Sequence, residues 1–419
     1  MILVRKIRFC FLSLIAVWVS FPTHAAEKFA VQPDVIVDAS GCGDCTSIQD
    51  ALDSVAMFPY QRTVILIRNG VYQEKIRITK NYVTLLGESR DSTRIEYAQL
   101  RTDWEANRDF YGPGVVNIDA DDIIIQNLTI RNTQPEIGPH AFAIYGYGTR
   151  VVLDKCTITS KGGDTVSLWN YKTGLYYHCN CHFEGAVDFV CPRGWCFIRD
   201  SEFYEVKKTA SVWHAGHFAE GQKLVIVNSS FDGVPGFQLG RHHYDAQFLF
   251  MNCLFSGNMA DTPVYLNSYE DATRNNPIQW GDRVYFYQCR QKGNSYPWIS
   301  DCLPSNVTAD SIDAAWTFNG VWNPENTQPL QVTTSKTEGN VLTLYFSEPV
   351  TVKGNPALIC SQGGKFEIVK RRFLDINELD FYWEADFPIP VSGIYTLIDG
   401  AIIASNAYVE QRSLGPFEL

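Results

Sequence analysis

Ile125-Gln126-Asn127-Leu128-Thr129-Ile130 is answered by Leu153-Asp154-Lys155-Cys156-Thr157-Ile158, and the two have the same outline. The outline returns around Asn180, Asp200, Asn228, Asn252 and Gln288. Counted from Asn127 through Lys155 onward, successive gaps are 28, 25, 20, 28, 24 and 36 residues. From Asn69-Gly70 to about 295 there is almost no helical periodicity, and strand and turn alternate instead. An all-β chain that repeats at this length reads as a solenoid, each unit one coil of a parallel β-helix. Stacked coils bury like residues on like, so the small or polar Cys, Ser and Asn positions are expected to form internal ladders. A sandwich or barrel would need regular short hairpin turns, and Asn-Gly and Gly-Asn pairs are too few for that here.

Upstream of the repeat, Thr46 to Ala56 reads as a short amphipathic helix. Thr46 or Ser47 can cap it, and Ile48, Ala51, Leu52 and Val55 share a face. Thr63-Val64-Ile65-Leu66-Ile67 is a β-branched strand ending at the Asn69-Gly70 turn. Residues 1–25 have the pattern of a secretory signal: Arg5, Lys6 and Arg8, an apolar core from Phe9 to Phe21, and Thr23-His24-Ala25 before the cut. That core is too short to span a bilayer, so a secreted or periplasmic protein, cleaved near Ala25 and independent of membrane, is expected.

Downstream, Pro304-Ser305-Asn306 and Pro324-Glu325-Asn326-Thr327-Gln328-Pro329 mark 304–330 as a linker. Beyond it, Val341–Phe346, Leu379–Trp383 and Gly393–Gly400 read as strands of a small β-sandwich over 331–419. The segment Leu344-Tyr345-Phe346-Ser347-Glu348-Pro349-Val350 resembles Ig-like or cadherin-like modules of secreted bacterial polysaccharide enzymes. The expected order is a signal at 1–25, a β-helix over 26–303, the linker and the sandwich.

Composition narrows the chemistry. The 419 residues carry a formal charge of -11, which argues against nucleic acid, whose phosphates need clustered Lys and Arg. Without Cys10 the chain keeps an odd number of cysteines in an oxidising compartment. Cys42 with Cys45, and Cys191 with Cys196 across Pro192-Arg193-Gly194, are the expected local disulfides, while Cys156, Cys181 and Cys253 read as buried thiols. A zinc site at Cys42 and Cys45 lacks a second pair.

Three polar islands interrupt the strands. Asp188 lies alone in Gly185-Ala186-Val187-Asp188-Phe189-Val190, Asp164 follows Gly162-Gly163, and Arg241 follows Leu239-Gly240. An unpaired carboxylate among packed apolar residues costs several kcal/mol, so a partner or a chemical role is expected. Each has a plain alternative, a turn or ladder residue for the aspartates and an inter-coil salt bridge for the arginine. The histidines after the signal all fall between His140 and His243, which suggests a cleft. A metal bound by His214 and His217 with His242 or His243 is disfavoured, because a strand does not put an i, i+3 pair on one face. Trp169 and Trp213 fit either the core or a sugar-stacking role.

Residues 34 to about 325 resemble the pectin methylesterases. The likeness starts at Ser47-Ile48-Gln49-Asp50-Ala51-Leu52 and Asn69-Gly70-Val71-Tyr72-Gln73-Glu74-Lys75, and continues through Gln126–Thr133. It then runs through Gly163-Asp164-Thr165-Val166, Gly185–Val190 and Leu239-Gly240-Arg241 in family order. The resemblance implies a right-handed parallel β-helix that hydrolyses methyl esters of polygalacturonate. It makes Asp188 the nucleophile, Asp164 the general acid/base and Arg241 the cation that keeps Asp188 ionised, with no metal or cofactor. It implies pectin or a related uronic-acid polysaccharide as partner, and a monomer is expected.

Three departures stand out. His140 and Gly163 occupy positions where the family has glutamines that donate near the developing oxyanion, and His243 replaces a tryptophan. Losing one such donor costs about 3 kcal/mol of barrier. His140, His243, Trp169, Trp213 and Arg193 are therefore expected to line a rebuilt substrate cleft, with Arg193 and the histidines supplying positive potential. An esterase of other specificity, on another methyl uronate or an acyl thioester, and a non-catalytic polysaccharide-binding protein remain the alternatives.

Overall fold

Every mark of the sequence repeat is a left-handed residue. Asn127 has φ 58°, Lys155 52°, Asn180 53°, Asp200 50°, Asn228 50°, Asn252 54° and Gln288 52°. One such residue turns the chain sharply, and Asn and Asp tolerate the conformation best among residues with a Cβ. The computed structural model describes residues 33–56, 62–293, 295–339, 341–348, 350–361, 365–366, 368–375, 378–383, 393–404 and 413–418. The expected signal at 1–25 lies outside them.

Each left-handed turn joins a strand of one parallel sheet to a strand of the next. Ile124–Gln126 precedes Asn127 and Thr129–Asn132 follows it; Val151–Asp154 and Thr157–Ser160 flank Lys155 in the same way. The first sheet has ten strands, from Val35–Val37 to Val284–Tyr287, and the second nine, from Gly70–Tyr72 to Arg290–Gln291. A third face carries four strands ending at Val166–Leu168, then three beginning at Ala210–Trp213. The pairings are parallel and in register, as Ile158↔Phe183↔Phe203↔Phe231↔Phe255 illustrates. These side chains stack through the core, with Phe203 and Phe231 rings 4.3 Å apart. This is the parallel β-helix expected from the repeat.

Leu128 follows the first turn, and from Lys155 onward the residue after each turn builds the expected ladder. Cys156, Cys181, Cys253 and Cys289 point inward, their thiols directed at the carbonyls of Ile125, Leu153, Ile226 and Phe250 one coil earlier. In the intervening coils Ser201 and Ser229 fill the position, and Ser201 Oγ accepts from the Cys181 N–H at 3.1 Å. The serine hydroxyls donate to the carbonyl two residues before them, Arg199 and Val227, each at 2.8 Å.

The amphipathic helix is present as Ile48–Ser54, with Ser47 capping through the Asp50 N–H and Ile48, Ala51 and Leu52 buried. The C-terminal strands form two antiparallel four-stranded sheets that share a core of Leu342, Leu344, Phe346, Val350, Leu358, Tyr395 and Ile402, the expected sandwich.

Two expectations change. All cysteines from Cys42 to Cys360 are free, including Cys42, Cys45, Cys191 and Cys196. Cys196 lies in Trp195–Arg199 and faces the helix core, whereas Cys191 faces the other way, against Trp213 and Ala215. The Pro-Arg-Gly turn separates their side chains rather than joining them. The stretch 304–330 also does more than link. Ile312, Ala314, Phe318 and Trp322 cover Tyr177, Phe197, Val225 and Leu249 on the outer face of the ten-stranded sheet. Glu325 accepts from Tyr177 Oη at 2.6 Å and pairs with Arg199. That sheet face is apolar, so it recruits the apolar residues that the Pro-rich flanks obscured.

Candidate active site

The third face breaks where Gly185–Val190 crosses it, and the break is local. Val187 (φ 46°) and Asp188 (φ 55°) are both left-handed, so the segment pairs only through the single bridges Val166↔Val190 and Val190↔Val212. A β-branched residue in that conformation is a genuine outlier, sustained only where its surroundings enforce it. The enforcement is visible. Val187 N–H donates to Thr209 Oγ1 at 3.1 Å, and Asp188 N–H donates to the Ala210 carbonyl at 2.7 Å. The Thr209 hydroxyl donates to Glu205 Oε1 at 3.3 Å, and the same oxygen accepts from Lys207 N–H at 2.9 Å. Glu205 is fully buried, and that burial pushes its carboxyl up to about 9, so it stays neutral at neutral pH. Asp164 is left-handed too, at φ 59°, and its N–H donates to the Val187 carbonyl at 3.0 Å.

These turns direct both carboxylates outward beside the strand Gln238–His242. Arg241 grips Asp188 with Nε at 2.9 Å from Oδ1 and 3.1 Å from Oδ2, and Nη2 at 2.8 Å from Oδ2. Burial pushes the Asp188 carboxyl up, and Arg241 opposes this by hydrogen bonds and charge, leaving it above its ordinary value. Burial likewise opposes the Arg241 charge, but the Asp188 bonds outweigh it and its pKa rises. Asp164 has no such partner. Burial, and then the Asp188 charge, push it up to about 8. Two similar carboxyls are thus driven to different protonation states by their surroundings.

All the sequence-derived candidates meet in one cavity of about 190 Å³: Asp188, Asp164 and Arg241 with His140, His243, Trp169, Trp213 and Arg193. His140 Nε2 stands 3.7 Å from Asp164 Oδ2, and burial, then Arg101, lower its pKa. His243 accepts from Trp213 Nε1 at Nδ1, 2.8 Å, and its Nε2 lies 2.7 Å from the Asn267 amide. An indole nitrogen only donates, so the neutral ring's proton belongs on Nε2, where it bonds Asn267 with that amide turned to present its oxygen. Arg193 lies over both indoles, its guanidinium carbon 4.8 Å from the Trp169 ring centre and 5.5 Å from that of Trp213.

The other histidines do not share the cavity, so clustering in sequence was not clustering in space. His178 is buried in the helix, His182 pairs with Glu202 on the second sheet, and His214 Nε2 lies 2.8 Å from the Gly194 carbonyl. His217 stacks between Tyr171 and Tyr244. Among the described residues no three His, Cys, Asp or Glu side chains are grouped to hold a metal ion. Sequence reading missed Cys191 as a lining residue, and missed Glu205 and Thr209 altogether. Nothing in Glu205-Val206-Lys207-Lys208-Thr209 distinguishes them from an ordinary polar turn.

An arrangement of one ionised carboxylate, one neutral carboxyl and a clamping arginine can attack an acyl carbon and protonate a leaving alkoxide. Comparison with known proteins points the same way. A family model described as Pectinesterase matches residues 34–223. Pectinesterase 31 of Arabidopsis thaliana is 31% identical over 245 residues, covering 55% of this chain and 68% of that protein. Pectinesterase QRT1 of the same plant is 24% identical over 301 residues, covering 67% and 77%. A further Arabidopsis pectinesterase is matched over 64% of its own length. Among solved structures, a pectin methylesterase in complex with a hexasaccharide superposes with TM-score 0.59 at 22% identity, over 71% of this chain and 99% of that one. The pectin methylesterase from carrot gives 0.55 at 18%, over 69% and 94%. The likeness to these structures is one of fold.

Proposed function

The chain belongs to the pectinesterase family, and from that premise we propose that it is a secreted pectinesterase that hydrolyses methyl esters of polygalacturonate and releases methanol. Asp188 is the nucleophile. Its ionised carboxylate, held by Arg241, adds to the ester carbonyl, and the neutral Asp164 carboxyl gives its proton to the departing methoxide. Asp164, now charged, takes a proton from water, and the resulting hydroxide cleaves the acyl-enzyme and frees Asp188. The observation that carries this reading is the asymmetry between two aspartates in one cavity, one clamped by three arginine bonds and the other pushed up to about 8. Arg193, held over the Trp169 and Trp213 rings, gives the cavity positive potential against the overall charge of -11.

The decisive experiment measures methanol release from methyl-esterified pectin by the wild type and by Asp188→Asn. We expect the substitution to lower turnover by at least about a thousandfold with an unchanged circular dichroism spectrum, since it removes the nucleophile and keeps the shape. A wild-type protein that binds the polymer and releases no methanol would instead be a binding protein. Secretion is tested by sequencing the N-terminus of the exported chain, expected just after Ala25.

A further inference from the structure

Arg193 is half-buried and lines the cavity beside both aspartates. Its Nε is buried and bonded to nothing, and its guanidinium has no ion-pair partner among the described residues. A buried guanidinium N–H left without an acceptor is unfavourable, so a site that keeps one is built for an acceptor that arrives. The Trp169 and Trp213 faces hold the group by cation–π contact, with the guanidinium carbon 4.8 and 5.5 Å from the two ring centres. It therefore needs no reorganisation when the acceptor comes.

We propose that Arg193 is a catalytic residue that receives the oxyanion formed on the ester carbonyl when Asp188 attacks. The inference rests on the esterase reading above. Arg193 shares with Asp188 and Asp164 a cavity of about 190 Å³. A carbonyl in contact with Asp188 therefore sits in the same cavity as the guanidinium. His140 is the other candidate donor in the cavity, and its Nε2 stands on the Asp164 side, 3.7 Å from Oδ2. Arg241 is engaged with Asp188 through three bonds. Gly163 has no side chain, and even a Cβ there would meet the Val187 carbonyl oxygen at 3.2 Å.

Charge counting favours an oxyanion over a free uronate carboxylate as the occupant. In the resting site Asp188 carries the negative charge. As its oxygen bonds to the acyl carbon, the carbonyl π pair moves onto the carbonyl oxygen, and the charge moves with it. The number of charges in the cavity is unchanged, whereas a bound carboxylate would add a second anion beside Asp188. When the intermediate collapses, the C=O re-forms, the bond to the methoxy oxygen breaks and the methoxide takes the Asp164 proton.

The test compares wild type, Arg193→Ala and Arg193→Lys in methanol release from methyl-esterified polygalacturonate, with thermal unfolding of each. Arg193→Ala should lower kcat about a hundredfold with KM within about threefold, the signature of a donor used in the transition state. Millimolar guanidinium should restore part of that kcat. Arg193→Lys keeps the charge and loses the forked donors, so a loss of about tenfold is expected; it also decides the matter if Arg193→Ala does not fold. A raised KM with kcat preserved would assign Arg193 to a ground-state carboxylate and overturn the proposal, as would unchanged kinetics in Arg193→Lys and Arg193→Ala. A wild type that releases no methanol would refute the esterase reading itself, a separate outcome.

Discussion

At the scale of single residues, function turns on how burial and neighbours divide the two aspartates. In the proposed mechanism Asp164 holds a proton to release the leaving group, and its carboxyl is pushed up to about 8. The sign follows directly: the active form is lost as pH rises through that value. Turnover, followed as methanol release against pH, should therefore fall above about pH 8. A rate that keeps rising to pH 10 would count against Asp164 as the acid. Behind Asp188 stands the chain from Glu205 through Thr209 to the Val187 N–H. Thr209→Val keeps the shape and removes the hydroxyl, leaving a buried N–H and a buried carboxyl each short of a partner. A destabilisation of about 1–3 kcal/mol is expected in urea unfolding. Turnover should drop about tenfold as the left-handed pair relaxes and Asp188 shifts.

At the scale of elements, the coil is built from a left-handed turn followed by a small inward donor. Cys156, Cys181, Cys253 and Cys289 occupy that second place, and Ser201 and Ser229 show that a hydroxyl serves there equally. Cys181→Ser should change unfolding free energy by less than about 1 kcal/mol. Cys181→Val, which fits the space but cannot donate, should cost about 1–3 kcal/mol because the Cys179 and Leu153 carbonyls lose the thiol contacts at 3.2 and 3.5 Å. Equal effects of the two substitutions would show that packing alone matters in the ladder. The same element logic explains the free thiols: inward cysteines answer carbonyls one coil away, and Cys191 turns outward toward Ser167, 3.0 Å from its hydroxyl oxygen.

At the scale of the whole molecule, the boundary between β-helix and sandwich lies later than the Pro-rich residues alone suggested. Phe318 and Trp322 are buried against the ten-stranded sheet, and losing either large side chain costs about 3–5 kcal/mol. We therefore propose that a fragment ending at residue 303 unfolds at a clearly lower temperature than one ending at 328, while the longer one keeps methanol release; matched melting curves would restore the earlier boundary. The sequence by itself determined the solenoid, because a repeated left-handed turn leaves Asn, Asp and small residues at recurring positions. It also determined the three motif residues Asp164, Asp188 and Arg241, because isolated charge in apolar strands is legible wherever it occurs. Only the tertiary structure decided which histidines face the cavity, that Cys191 and Cys196 point to opposite sides, and that Glu205 and Thr209 brace the left-handed turn at Asp188. Those facts depend on which coil stacks on which and on the side from which each side chain leaves its strand. Neither is carried by local composition: a coil of 20 residues and one of 36 still bring their turns into line, and the alignment of coils, rather than distance along the chain, sets the neighbours.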